Sequence, residues 1–388
     1  MQADVIVVGL GAMGSAAAWQ LARRGARVLG IDRHAPPHDR GSSHGLTRVT
    51  REAVGEGEAY APLVRRSHAI WRELETALEG DPTLPFEGPL MTRTGVLVIG
   101  PAGSDTAFVA RTRAVAQAFG VPHEALSAAE LRRRWPQFHV DDGEAGCFEP
   151  GGGVVYPERC IAAQLALARR AGAQLLTDEP VQAVVREGGV WRVHTARGTH
   201  HAAQVLVTAG AWLPGLAAAH GLTWARELRV LRQVLHWLKP EPGREADFEV
   251  GRCPTFIATR GERYEDTFYG MPLVDGSGGV KVGTEQFEHD TTPETVVREV
   301  AEAETSALIE RLVRPRLPGL SGVGLRASAC LYTMAADGRF RIGESEPGLA
   351  WVSACSGHGF KHSAALGEAL AERVLQDRST IDLTQFVD

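Results

Sequence analysis

Three glycines near the start of the chain, Gly9, Gly11 and Gly14, stand in the order G-x-G-x-x-G. That spacing serves one kind of chemistry, the close approach of backbone to a phosphate. Gly9 permits a tight turn, Gly11 lets the main chain touch a pyrophosphate, and Gly14 lets the next helix lie against the strand before it. The helix N-terminus then offers free N–H groups and a positive dipole end. Asp32 follows at the ~20-residue distance where a carboxylate meets ribose hydroxyls. A carboxylate there disfavours a 2′-phosphate and so NADP, although Arg33 beside it softens the repulsion. NAD and FAD both fit these residues. A second cluster, Gly357-His358-Gly359, again joins an apolar run to a helical stretch. Two sites of close backbone approach suit the longer cofactor, FAD.

Other reactive side chains are ambiguous on their own. Lys281 lies between Val280 and Val282, with Gly279 and Gly283 outside them. In a strand it either faces outward or is buried for a reason. The five cysteines, Cys147, Cys160, Cys253, Cys330 and Cys355, are odd in number and lack C-x-x-C spacing. That argues against a disulfide framework or a zinc site, and no metal is expected. A free cysteine is most often a small buried hydrophobe. His34 and His38 fall in a Pro-rich loop and read as surface residues. His200-His201 reads as a solvated turn, and Arg132 to Arg134 as a solvated helix face.

Net charge is −6, so the basic footprint of a nucleic-acid partner is missing. No apolar run approaches the ~20 residues of a membrane span. The chain enters an apolar strand at once, with no cleavage signal. A cytoplasmic monomer is expected.

These residues need elements to hold them. Residues 4–9 read as a buried parallel strand, 13–24 as a helix stopped by Gly25, and 28–31 as a second strand. Residues 33–57 form an irregular stretch too long for a plain connection. Helical spacing covers 60–78, 107–119, 128–135, 157–172, 293–312 and 363–374. Strands are expected at 95–99, 181–185, 191–195, 204–208 and 350–354. Between 228 and 281 short alternating segments suggest an antiparallel sheet. The fold class is α/β: an interleaved FAD-binding Rossmann-like domain (1–85, 145–222 and 322–388) plus an α+β substrate domain with an antiparallel sheet (86–144 and 223–321).

Several segments together resemble the monomeric sarcosine oxidase and N-methyltryptophan oxidase family, within the D-amino-acid-oxidase-like FAD oxidoreductases. They are Val5 to Gly14, Gly41-Ser42-Ser43-His44-Gly45, Thr47-Arg48 with Arg51, Gly55-Glu56-Gly57, Arg134-Trp135-Pro136, Ala329-Cys330-Leu331-Tyr332-Thr333 and Ser356-Gly357-His358-Gly359-Phe360-Lys361. The resemblance implies oxidation of a secondary amine with FAD tethered through Cys330. It implies a carboxylate clamp of Arg51 and Lys361, in which a planar guanidinium and a point charge share one anion. It places Lys281 at the oxygen reaction, and His44, Arg48 and Tyr269 near the flavin ring. Cofactor contacts are expected from Gly9, Gly11, Ala12, Met13, Gly14, Asp32, Arg33, Ser42, Arg48, Thr50, Cys330, Gly357, Gly359, Phe360 and Lys361. Two positions depart from the pattern. Glu285 stands where a substrate-site histidine is expected, and Leu46 where an aspartate is usual. The implied partners are a small amine and oxygen. The alternatives are a dehydrogenase with a non-oxygen acceptor and a non-catalytic flavin carrier.

Overall fold

The run Val5 to Val8 has no polar alternation, so both faces of its sheet must be covered. In the computed structural model, which describes residues 2–79, 88–103, 107–220, 222–260 and 266–387, this run lies in β1, Gln2–Val8. Helix α1, Ala12–Arg23, and strand β2, Val28–Ile31, complete a βαβ unit. β1 pairs in parallel with β2 and with Gly198–Val207. Its side chains alternate between two cores. Val5 and Val7 join residues of helices Ala61–Leu78, Pro157–Arg170 and Ser363–Gln376, whereas Ile6 and Val8 join Leu213, Ala217 and Trp351. This eight-stranded sheet draws strands from the start, middle and end of the chain.

A second eight-stranded sheet runs in the order Leu320–Met334, Arg229–Pro240, Val280–Thr284, Thr267–Met271, Thr255–Thr259, Val96–Pro101, Glu144–Glu149, Glu124–Ser127. It is antiparallel except where Thr255–Thr259 lies parallel to Val96–Pro101. One face carries its own core, with Val280, Val282, Phe256 and Phe268. By strand alternation Lys281 and Gly283 point the other way, toward the first sheet's cofactor loops. The expected α/β architecture, interleaved with an antiparallel-sheet unit, is therefore present.

Some expectations need correction. Segment edges at 145 and 322 cut into Glu144–Glu149 and Leu320–Met334, which both belong to the second sheet; the edge at 85 lies outside the described residues. The helix expected at 293–312 begins only at Glu302 and continues through a π-turn, Ile309–Val313. Upstream, Arg232 donates to the carbonyls of Val297 and Glu299, and Val296 packs on the cluster of Ala211, Val230 and Leu331. Those contacts keep the stretch out of the helix. The irregular stretch 33–57 contains a short strand, Arg48–Thr50. His200 is buried in Gly198–Val207, 3.2 Å from Glu179, and not in a solvated turn. Among the described residues no helix is long and apolar enough to cross a membrane.

Candidate active site

The nucleotide end is shaped by glycines that admit no substitute. Gly9 has φ +89°, and a Cβ on it would meet the Thr208 carbonyl oxygen at 2.7 Å. A Cβ on Gly14 would lie 1.7 Å from the Gly9 carbonyl oxygen. Gly11, by contrast, faces open space, its nearest neighbour being Ser43 Oγ at 3.9 Å from a built Cβ. Ala12 opens α1, and Met13 is partly buried beside it. Asp32 is buried and accepts the N–H groups of Leu10 at 2.6 Å and His34 at 2.9 Å. Those bonds orient the carboxylate and leave lone pairs for ribose hydroxyls. An open glycine cradle, a helix N-terminus and an oriented acid fit the dinucleotide end of FAD. Gly14→Ala must push α1 away from β1. We expect that variant to be recovered without bound FAD, read from its absorbance spectrum; a normally loaded protein would contradict the packing argument.

Arg33 stacks 5.2 Å from the Trp212 ring and pairs with Glu294 at 3.3 Å. His34 and His38 form an edge-on pair beside Trp212, so they are half-buried and not free surface residues. They extend an aromatic wall from Asp32.

The second sheet brings the flavin-side residues together. Lys281, Gly283 and Glu285 share the two-residue strand period, though Glu285 lies just past the strand's end. Tyr269 pairs with Gly283, and its hydroxyl would be 2.6 Å from a Cβ there. The phenol thus crosses the gap that glycine leaves. Cys330 is buried and pairs with Gln233. The Gln233 side chain both donates to the Gln286 carbonyl at 2.7 Å and accepts its N–H at 3.0 Å, which pins the residue after Glu285.

Lys281 is fully buried. Its Nζ reaches the carbonyls of Gly45 at 2.7 Å and Thr47 at 2.6 Å, and Thr47 Oγ1 at 3.3 Å. Burial first, then Arg48, pushes its ammonium well below the usual lysine range, against Cys330, Glu158 and Asp275. The lysine therefore ties the flavin loop to the second sheet. Glu158 holds the same loop, accepting from Gly45 N at 2.7 Å and Leu46 N at 3.0 Å. Leu46 keeps φ +70°, a region costly for this residue. It packs on the cluster of Leu231 and Leu235, where an aspartate would find no apolar gain. Arg48 folds onto the loop, donating to Ser42 O at 2.7 Å and Thr47 O at 2.8 Å. His44 is buried with Nε2 lacking a partner among the described residues, and burial holds it neutral, down at about 3. An orphaned imidazole nitrogen suits a polar edge of a flavin ring. The Thr50 hydroxyl bonds His68 at 2.7 Å in the helix behind.

The third group surrounds Glu56. Arg51 donates to Glu56 at 2.7 Å and to the Ala53 carbonyl, and Lys361 meets the other Glu56 oxygen at 3.0 Å. Burial opposes the Glu56 charge, but Arg51 and Lys361 outweigh it and hold the carboxyl well below its usual range. Burial lowers Lys361. Glu149 fixes this loop by accepting from Glu52 N and Ala53 N, each at 2.9 Å. Gly359 is required because a Cβ would lie 1.8 Å from the Ala354 carbonyl oxygen, and Phe360 packs into the core. Gly357, at φ +78°, brings the backbone to Glu285 and Tyr332, whose side chains would be 3.1 Å from a Cβ. Among the described residues Glu285 makes no ion pair with a surface arginine; its carboxyl is pushed up to about 7, by burial first and then by Glu56, against Lys361 and a hydrogen bond from Tyr332. Glu56, Tyr332 and Glu158 are additions to the expected site. A lone carboxylate between Gly55 and Gly57 was the available signal for Glu56.

The family described as DAO, FAD dependent oxidoreductase, matches residues 4–373. The monomeric sarcosine oxidase of Streptomyces avermitilis is 38% identical over 377 residues, which span 96% of this chain and 93% of that one. The N-methyl-L-tryptophan oxidase of Salmonella newport is 35% identical, over 100% of this chain and 98% of its own. Among solved structures, the open form of NikD, an unusual amino acid oxidase essential for nikkomycin biosynthesis, superposes with a TM-score of 0.83 at 25% identity, covering 100% of this chain and 97% of that one. The glycine cradle, the flavin-side residues and matches over almost the whole length agree: the chain belongs to the FAD-dependent oxidoreductase family.

Proposed function

We propose that the chain oxidises the secondary amine of an N-methyl or cyclic amino acid, sarcosine being the smallest, to an imine, and passes the electrons to oxygen as hydrogen peroxide. One observation carries the reading: Arg51 and Lys361, both buried, converge from distant parts of the chain on a single partly exposed carboxylate, Glu56. That is the arrangement a second carboxylate can enter. The relatives named for N-methyl amino acids support the same reading. Bound FAD supplies the two-electron acceptor. The chain's own work is to hold the substrate carboxylate, exclude water and keep the amine's lone pair free. Burial raises Tyr269 and Tyr332, so both phenols stay protonated as hydrogen-bond donors. The flavin is proposed to be tethered through Cys330.

The deciding experiment mixes the holoprotein with N-alkyl, cyclic and primary amino acids without oxygen and follows flavin bleaching. Secondary amino acids should bleach it, and admitted air should restore the colour with one equivalent of peroxide. Bleaching without peroxide would favour a dehydrogenase; no bleaching by any of them would end the proposal.

Lys281 yields a separate prediction. Burial lowers its ammonium, so negative charge developing at the reacting oxygen would draw a proton onto Lys281 and be stabilised by it, and its contacts to Gly45 and Thr47 support a place beside the flavin. Lys281→Met should slow reoxidation by on the order of a hundredfold while slowing reduction far less. Equal slowing of both halves in stopped flow would reduce Lys281 to a structural tie.

A further inference from the structure

Glu285 stands in this site without a direct cation partner among the described residues. Among the described residues it makes no ion pair, whereas Glu56 takes both Arg51 and Lys361. It is partly accessible, because it lines the site, yet protein surrounds it. The groups that face it come from four elements. Tyr332 of Leu320–Met334 bonds it, Tyr269 of Thr267–Met271 lies beside Gly283, the Gly357 backbone closes one side, and Lys361 and Glu56 act on it through space. Arg51 and His358 face Glu56 instead, and burial keeps His358 neutral, at about 4.

Charge balance then dictates what an amino acid meets. Arg51 and Lys361 against Glu56 and an ionised Glu285 leave the free site neutral. An amino acid arrives as a zwitterion and keeps it neutral. It cannot react in that form, since a protonated amine has no lone pair to drive loss of hydride. If the ammonium proton left for solvent, the closed site would hold an uncompensated negative charge, which is costly away from water. The nitrogen of an amino acid is one carbon from its carboxylate, and a carboxylate held at Lys361 would lie beside the cation whose charge acts on Glu285.

We infer that Glu285 receives the proton of the bound substrate's ammonium: the N–H bond breaks, an O–H bond forms on the carboxylate, and the proton stays in the site. This rests on reading the site as an amino-acid pocket. A carboxyl near 7 is matched to such an exchange around neutral pH.

The same balance makes a prediction that needs no turnover. Methoxyacetate carries the carboxylate of the substrate but no amine and no proton to give. Its binding adds one negative charge, so Glu285 must take a proton from solution. Binding of an anion raises the carboxyl further above 7, so affinity is full below that pH. It should weaken by about tenfold per pH unit above it, until the bound-state value is passed. Calorimetric titration of the holoprotein with methoxyacetate at pH 8, in buffers of different ionisation enthalpy, counts the protons. The parent should take up close to one proton per ligand, and Glu285→Gln none, with binding flat across the same pH range. Parent and variant taking up equal numbers of protons would overturn the assignment while leaving the pocket intact. Binding to neither would overturn the pocket reading as well.

Discussion

Cys330→Ala is expected to release its flavin into the supernatant on acid precipitation, while the unmutated protein keeps the colour in the pellet. The effect is all or none because a single bond is at stake. Cys330 lies in the long strand Leu320–Met334, buried, on the sheet that also presents Tyr269 and Lys281 to the cofactor loops. Its thiol is pushed up by burial, with Arg48 and Lys281 pulling in the opposite direction and losing. Thiolate is the nucleophile. Attachment should therefore be slow at neutral pH and should accelerate by up to about tenfold per pH unit while the thiol remains mostly protonated. Incubating apoprotein with FAD at a series of pH values, then precipitating, gives the rate at each. Colour that washes out of a fully loaded parent protein would defeat the tether. A tether forming at a rate independent of pH would defeat the thiolate argument alone.

What was legible in the sequence depended on how local its cause is. Gly9, Gly11, Gly14 and Asp32 were readable because turn, helix start and acid follow one another along the chain. From the sequence, Lys281 stays open between facing outward and being buried, because strand period alone does not say which side of a sheet is covered. The functions of Glu56, Tyr332 and Glu158 were not readable, because each is defined by partners far away in sequence: Glu56 by Lys361, Tyr332 by Glu285, Glu158 by the Gly45 amide. The failed helix start before Glu302 has the same origin, since Arg232 from another strand captures carbonyls that a helix would have needed. His200 beside its neighbour His201 looked polar and exposed, yet tertiary packing buries it against Glu179. Thr50, expected at the cofactor, directs its hydroxyl to His68, a partner that sequence order did not reveal.

Arg51→Ala and Lys361→Met are each expected to raise the apparent substrate constant steeply while flavin content stays normal. Losing one partner of a desolvated charge contact costs about 2–5 kcal/mol, and about 1.4 kcal/mol is tenfold. The geometry makes the two variants equivalent. Both cations already contact Glu56, at 2.7 and 3.0 Å, so the three side chains leave one spare positive charge for a substrate carboxylate. Removing either cation leaves a closed neutral pair with Glu56 and no spare charge. Both single variants should thus lose a similar factor, and the double variant should add little beyond it, because coupled neighbours are not additive. The arrangement also predicts a rescue. Adding Glu56→Gln to Lys361→Met frees Arg51 from its partner, restores the spare charge, and should recover a large part of the lost affinity for carboxylates. It should do nothing for the corresponding amide, which carries no charge to be held. Affinities for a carboxylate ligand and its amide, measured by perturbation of the flavin spectrum in the parent and the four variants, test this directly. Additive losses with no recovery in the Glu56→Gln double variant would mean that Glu56 does not compete for the clamp. Arg51 and Lys361 would then act on the substrate independently of it.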